Sequence, residues 1–190
     1  MSSMSFLIAT LFDLYIMVVI LRMWLQAARA DFYNPFSQFV VNATQPVVGP
    51  LRRFIPSIGS IDLATLLFAY ALMVGKFALI ALVAPKEAFS VTLQGHLFVA
   101  MFALVKTMGK ILFYVLIVRA ILSWVSQGRS PVEYVFHQLT EPMLAPIRRV
   151  IPAMGGFDFS ILVLFIALQF ANRLVGELLS PLIGILWFQL

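Results

Sequence analysis

The sequence predicts an all-α integral membrane protein: four transmembrane helices as two parallel tandem repeats, each with an amphipathic, proline-rich basic hairpin. Three observations predict it. The 190 residues are 62% apolar and 11% charged, against about 45–50% and about 25% in soluble domains, and a chain this short cannot bury so much apolar surface in its own interior. Four stretches are long and apolar enough to cross a bilayer, which takes roughly 20 predominantly apolar residues. A motif of nineteen residues also occurs twice, 96 positions apart.

The first stretch covers about 6–27 and contains Asp13 and Arg22; the second covers about 63–84 and contains Lys76. The third covers about 103–125, with Lys106, Lys110 and Arg119, and residues before 102 read as an interfacial lead-in or a tilted extension. The fourth covers about 159–180, with Arg173 and Glu177 towards its end. Residues 182–190 are too short to span and carry Trp187 and Phe188, side chains of an interfacial belt. Ala28-Arg29-Ala30 mimics a signal-peptidase site, but no Lys or Arg precedes Arg22. The apolar run also exceeds an h-region of about 7–15 residues, so the first stretch is read as a retained span.

Thr44, Pro46, Pro50, Arg52, Arg53, Ile55, Pro56, Gly59 and Asp62 recur as Thr140, Pro142, Pro146, Arg148, Arg149, Ile151, Pro152, Gly155 and Asp158. Self-similarity at a fixed spacing is the signature of a repeat. The repeats are 1–95 and 96–190, with hairpins at 34–61 and 130–157, and one gap before the motif sets Arg22 opposite Arg119. Asn34-Pro35 and Ser130-Pro131 each offer an N-cap residue followed by proline at the first helical position. Phe36, Phe39, Val40 and Ala43, and then Val132, Val135, Phe136 and Leu139, follow at the spacing of one helix face. Pro46, Pro50, Pro56 and their counterparts are expected to break that helix. Arg52-Arg53 and Arg148-Arg149 sit among apolar anchors, as in a segment lying in the headgroup plane. Gly59 with Asp62, and Gly155 with Asp158, read as a turn followed by the helix cap of the next span.

Thirteen Lys and Arg against eight Asp and Glu give a net charge of +5. Arg29, Arg52, Arg53, Arg129, Arg148 and Arg149 lie in the hairpins, whereas the loop between repeats holds Lys86. The positive-inside rule then puts the hairpins in the cytoplasm and both termini in the periplasm, with the two copies parallel. Basic residues beside apolar spans point to membrane lipids with anionic headgroups, not to nucleic acid. There is no cysteine, and His96 and His137 are the two histidines. No HExxH, carboxylate pair at catalytic spacing or phosphate loop occurs, so no enzyme, cofactor or metal is expected.

A charge inside a span costs about 2.5–3.5 kcal/mol at the helix centre on insertion scales. Arg22 and Arg119 lie close enough to the cytoplasmic ends for snorkelling to explain them. Asp13, Lys76, Lys110 and Arg173 fall about 10–13 Å deep at 1.5 Å per residue, and Glu177 is one turn from Arg173, where the two can pair. Two readings stand for this intramembrane charge network: ion pairs that fix helix packing, or a water-accessible site favouring an anion, a lipid phosphate or an acidic group. Asp13 is expected to pair with Lys76 or Lys110. Two readings also stand for Arg52, Arg53, Arg148 and Arg149: lipid or partner docking, or topology and anchoring alone.

The hairpins resemble the YggT family of small bacterial inner-membrane proteins, the enterobacterial type most closely. The residues that carry the resemblance are 31–38, Pro50-Leu51-Arg52-Arg53 through Pro56, 123–131, and Pro146-Ile147-Arg148-Arg149 through Asp158. It covers essentially the whole chain, duplication included. It implies a multi-pass inner-membrane protein associated with osmotic or envelope stress and with ion balance; photosynthetic relatives are linked to cytochrome assembly and nucleoid organisation. No catalytic residues come with it. The expected function is a non-enzymatic scaffold or assembly factor that meets lipid and either another membrane protein or a second copy of itself. The alternative is a small transporter or channel component using the charged layer.

Overall fold

A computed structural model of the chain describes residues 2–83, 93–125, 130–151 and 158–183. They form six helices: α1 (Ser3–Ala27), α2 (Pro35–Leu51), α3 (Leu63–Val83), α4 (Leu93–Val125), α5 (Pro131–Val150) and α6 (Phe159–Ile183). Four stretches are long and apolar enough to cross a membrane: Ser3–Ala27, Leu63–Val83, Gly95–Ser123 within α4, and Phe159–Leu179 within α6. Between 11% and 28% of each is buried within the chain, so most of the apolar surface is left to lipid or to another protein. The expectations for Lys86, Arg129, Pro152, Gly155, Trp187 and Phe188 concern residues outside the described ones.

The chain falls into two compact units, one of residues 1–27 and 39–108, the other of residues 28–38 and 109–190. In the first, α1 and α3 run antiparallel. Phe12 Cε1 lies 3.6 Å from where a Gly75 Cβ would stand, whereas Tyr15, further along α1, meets Phe68 edge-on at 6.0 Å. Ile16, Val19, Ile20 and Leu25 of α1 are buried, as are Ala64, Ala69, Met73 and Ile80 of α3. Small residues at such a seam let two backbones approach where lipid tails remove the usual hydrophobic driving force. In the second unit, Phe113 of α4 meets Phe165 of α6 at 4.9 Å. The lead into α2 packs on α5: Phe36 meets Phe136 at 5.1 Å. There Asn34 Nδ2 donates to Pro131 O at 2.6 Å and the Asp31 N–H donates to Gln138 Oε1 at 2.9 Å.

The prolines do not break the hairpin helices. Pro46 and Pro50 lie inside α2, and Pro142 and Pro146 inside α5. A proline ring withholds an N–H and crowds the carbonyl four residues back, so each opens a turn. Extra donors meet carbonyls on either side of Asn42 O, the one that Pro46 leaves without its helical donor. Thr44 Oγ1 donates to Val40 O at 2.7 Å, Arg22 Nη1 to Val41 O at 3.2 Å and Tyr15 Oη to Ala43 O at 3.2 Å. In α5, Thr140 Oγ1 donates to Phe136 O at 2.7 Å. Proline inside membrane helices is tolerated by the same compensation.

Two further details differ from expectation, and a third decides between two readings. The buried face of α2 is Ser37, Val40, Thr44 and Val48, while Phe39 is 63% exposed; the polar acceptors, not the largest apolar side chain, set which way the helix turns. Asn34 Oδ1 caps α2 through the Phe36 N–H at 2.9 Å, but Ser130 makes no side-chain cap bond and α5 starts on Pro131. The stretch before residue 102 is continuous with α4, a helix of 33 residues and so about 50 Å long, against a hydrocarbon core of about 30 Å. Tyr70 Oη holds this early part to α3 by donating to Leu97 O at 2.9 Å.

After α2 the chain turns through Ile58 and Ile61, which exchange both backbone hydrogen bonds at 3.0 Å. Gly59, with φ of 60°, takes the first central position of this two-residue turn. Replacing Gly59 by Ala is expected to lower the stability of the detergent-solubilised protein by about 1 kcal/mol in chemical unfolding, with Ser60→Ala unchanged.

Candidate functional site

Arg22 and Arg119 do not snorkel. They are 3% and 6% exposed, and a guanidinium away from water must be met by acceptors on its five N–H groups. Arg22 Nη1 donates to Thr44 Oγ1 at 2.7 Å as well as to Val41 O, and Nη2 donates to Gln45 Oε1 at 2.6 Å. Arg119 donates to Thr140 Oγ1 and, at 3.4 Å, to Glu141 Oε2. Each arginine thus fastens a span to the threonine that opens the motif.

The motif closes on a second arginine. Arg52 Nε donates to Asp62 Oδ2 at 2.9 Å and Nη2 contacts the same oxygen, while Nη2 also reaches Gln26 Oε1. The Asp62 side chain is fully buried. Its Oδ1 accepts the Thr65 N–H at 3.3 Å and its Oδ2 the Thr65 hydroxyl. One carboxylate therefore caps α3 and clamps the end of α2. In the second unit Arg148 Nε and Nη2 donate to Asp158 Oδ2 at 3.0 and 2.6 Å, and Asp158 Oδ1 accepts the Ser160 N–H at 3.1 Å. Arg148 Nη1 has a further acceptor, the Glu141 carboxylate, at 2.8 and 2.9 Å.

Burial works against ionisation of Asp62, but the hydrogen bond from Arg52, those from Thr65 and the Arg52 charge outweigh it and hold the carboxyl below its ordinary value. Asp158 is lowered in the same way: burial opposes ionisation, and Arg148 and Ser160 prevail. Burial disfavours the Arg148 charge, yet Asp158 and Glu141 together push its pKa up. A carboxyl lowered by folding stabilises the folded state fully above its unfolded value, about 3.9, and less as pH falls through the folded value.

Of the four arginines expected at a docking surface, Arg52 and Arg148 are held by their aspartates, Arg52 while still 36% exposed and Arg148 half-buried, whereas Arg53 and Arg149 are exposed and make no ion pair among the described residues. Asp62 and Asp158 each accept a helix-start N–H in addition to the arginine. Within the charge network, Lys76 Nζ lies 2.6 Å from Asp13 Oδ1 and 5.7 Å from the Phe77 ring centroid. Arg173 Nε lies 3.2 Å from Glu177 Oε1, both side chains well exposed. Lys110 belongs to the second unit, Asp13 and Lys76 to the first. Sequence reasoning passed over Gln26, Thr44, Gln45, Thr140, Glu141 and Ser160 as partners. The threonines were visible as the first letter of the motif. Glu141 was visible as an acid where the first copy has Gln45. His137 Nε2 lies 3.2 Å from Glu141 Oε2.

Comparison with known proteins adds the following. The family described as CCB3/YggT matches residues 1–83 and 98–179. The chain is 68% identical over 190 residues to the protein of the proC 3′ region of Vibrio alginolyticus, covering all of both chains. It is 52% identical over 181 residues to YggT of Escherichia coli K12, covering 95% of this chain and 93% of that one. It is 39% identical over 180 residues to a Pseudomonas aeruginosa protein, covering 94% and 91%. No solved structure matches.

Three outcomes are expected. Asp62→Asn and Asp158→Asn each destabilise by about 1–3 kcal/mol, the range for a broken buried pair discounted because the arginine partners are partly exposed. Wild-type melting temperature, measured against pH, stays flat from 8 to 5 as far as these groups contribute and falls below about 4. Asp13→Asn lowers the yield of folded protein in size-exclusion chromatography, and adding Lys76→Met restores it; an unaffected single variant would remove the pair from the packing account.

Proposed function

The chain belongs to the CCB3/YggT family, and on that premise we propose a non-enzymatic multi-pass protein of the bacterial inner membrane, a scaffold or assembly factor in the osmotic or envelope stress response. Its two hairpins face the cytoplasm and dock anionic lipid together with another membrane protein or a second copy. Duplication of a unit of span, hairpin and span, followed by divergence, accounts for the two hairpins.

The observation that carries this reading is the division of labour inside each arginine pair. Arg52 and Arg148 are held by Asp62 and Asp158, so the backbone that bears the next residue is fixed. Arg53 and Arg149 then point away from the clamp, beside Phe54, 83% exposed, and Val150, 80% exposed. A cation flanked by an exposed apolar side chain suits a headgroup layer, where each Lys or Arg contributes about 1 kcal/mol at an anionic leaflet. A determinant of topology alone needs the charge but not the clamp.

The Asp13–Lys76 pair inside the spans of the first unit favours a second reading, a small transporter or channel component for ion homeostasis. The two readings separate experimentally. The scaffold reading expects a membrane complex to co-purify with the full chain in mild detergent and to be lost from a folded Arg53→Gln/Arg149→Gln variant. Retention of the complex by that variant defeats it. Solute flux into liposomes holding the pure protein, abolished by Asp13→Asn, selects the transport reading.

A further inference from the structure

The two hairpin bases have the same arginines but not the same charge. In the second, Arg119 and Arg148 face Glu141 and Asp158, two cations and two anions. In the first, Arg22 and Arg52 face Asp62, because Glu141 is replaced by Gln45; the same arithmetic, two cations less one anion, leaves +1. Arg52 Nη2 reaches Gln26 Oε1, one turn on from Arg22 in α1, so the two guanidinium groups lie at the same end of that helix.

The missing charge has an address. Glu141 bridges its arginines: Oε1 and Oε2 accept from Arg148 Nη1, and Oε2 accepts from Arg119 Nη2. Gln45 reaches one arginine, through Arg22 Nη2. Arg52 uses Nε and Nη2 on Asp62 and Gln26, and its Nη1 has no acceptor among the described residues. Arg22 Nε is buried with no hydrogen-bond partner. Two guanidinium groups with unused donors and one surplus charge make a binding site for an oxyanion, which charge-assisted hydrogen bonds from Arg recognise best. The Arg52 side chain is 36% exposed, which leaves its guanidinium open from the surface, while Arg22 is buried.

We infer that the base of the first hairpin binds a phosphate group between Arg22 and Arg52, in the role that Glu141 fills in the second. The ligand is the phosphate of a membrane phospholipid, since Arg22 lies near the end of a span and Arg52 in the hairpin, at headgroup depth. The site goes beyond docking by Arg53 and Arg149 and does not depend on it.

The test uses the full chain after exchange into fresh mild detergent. Melting temperature is followed with phosphatidylglycerol, with diacylglycerol of the same acyl chains, and with inorganic phosphate at constant ionic strength. Phosphatidylglycerol is expected to raise the wild-type melting temperature by about 5 °C or more near saturation, and diacylglycerol to leave it unchanged. Gln45→Glu, a side chain already accommodated at the second hairpin, melts higher without lipid and loses most of the response. Glu141→Gln moves the other way and responds more strongly than wild type. An equal shift with inorganic phosphate alone assigns the same site to a soluble anion. Equal shifts with phosphatidylglycerol and diacylglycerol, no shift with any additive, a full response in Gln45→Glu or no gain in Glu141→Gln would each overturn the inference.

Discussion

A guanidinium taken out of water must be given acceptors, and the placing of both hairpins depends on that constraint. Arg22 and Arg119 sit in helices otherwise apolar enough for a membrane. A buried, unpaired arginine would cost several kcal/mol. The cost is offset by laying a second helix alongside, one whose threonine hydroxyl and neighbouring Gln45 or Glu141 side chain accept from the guanidinium. In both hairpins a proline, Pro46 or Pro142, follows directly after these acceptors inside the helix.

The aspartates complete the frame from the other end. Asp62 and Asp158 start the following spans and hold the ends of the hairpin helices ten residues back in sequence. A hairpin fastened at both ends by buried charge presents its outer residues in a fixed direction. This is why two adjacent arginines have opposite fates, one turned to a carboxylate and its neighbour left on the surface.

What the sequence disclosed follows from which forces are local. Four apolar runs announced four spans, because lipid selects for length and composition and little else. Asp62 could be read as a helix cap from its position alone, since its partner Thr65 is three residues away. The partners of Arg22 lie 19 to 23 residues further on, across a break that proline seemed to demand. Without the path of α2 the bland reading of a snorkelling side chain was the cheaper one, and it was wrong. The contrast between Gln45 and Glu141 was in plain view when the repeats were aligned. Its meaning was not, because that lies in the Nη1 atoms of Arg52 and Arg148, and only geometry says which of them has an acceptor.

The path of the chain through its two units has a consequence for biosynthesis. Residues 28–38 leave the unit that holds α1, and residues 39–108 return to it. The hydrogen-bond partners of Asp31 and Asn34 lie 107 and 97 residues later in the sequence. At a synthesis rate of about 5–20 residues per second, α1 can be in the membrane while the stretch that follows it stands unpartnered for on the order of 5–20 s. A ribosome that stalls between the halves leaves a fragment that can make the Arg22 and Asp62 contacts of its hairpin but has no Gln138 or Pro131 for Asp31 and Asn34.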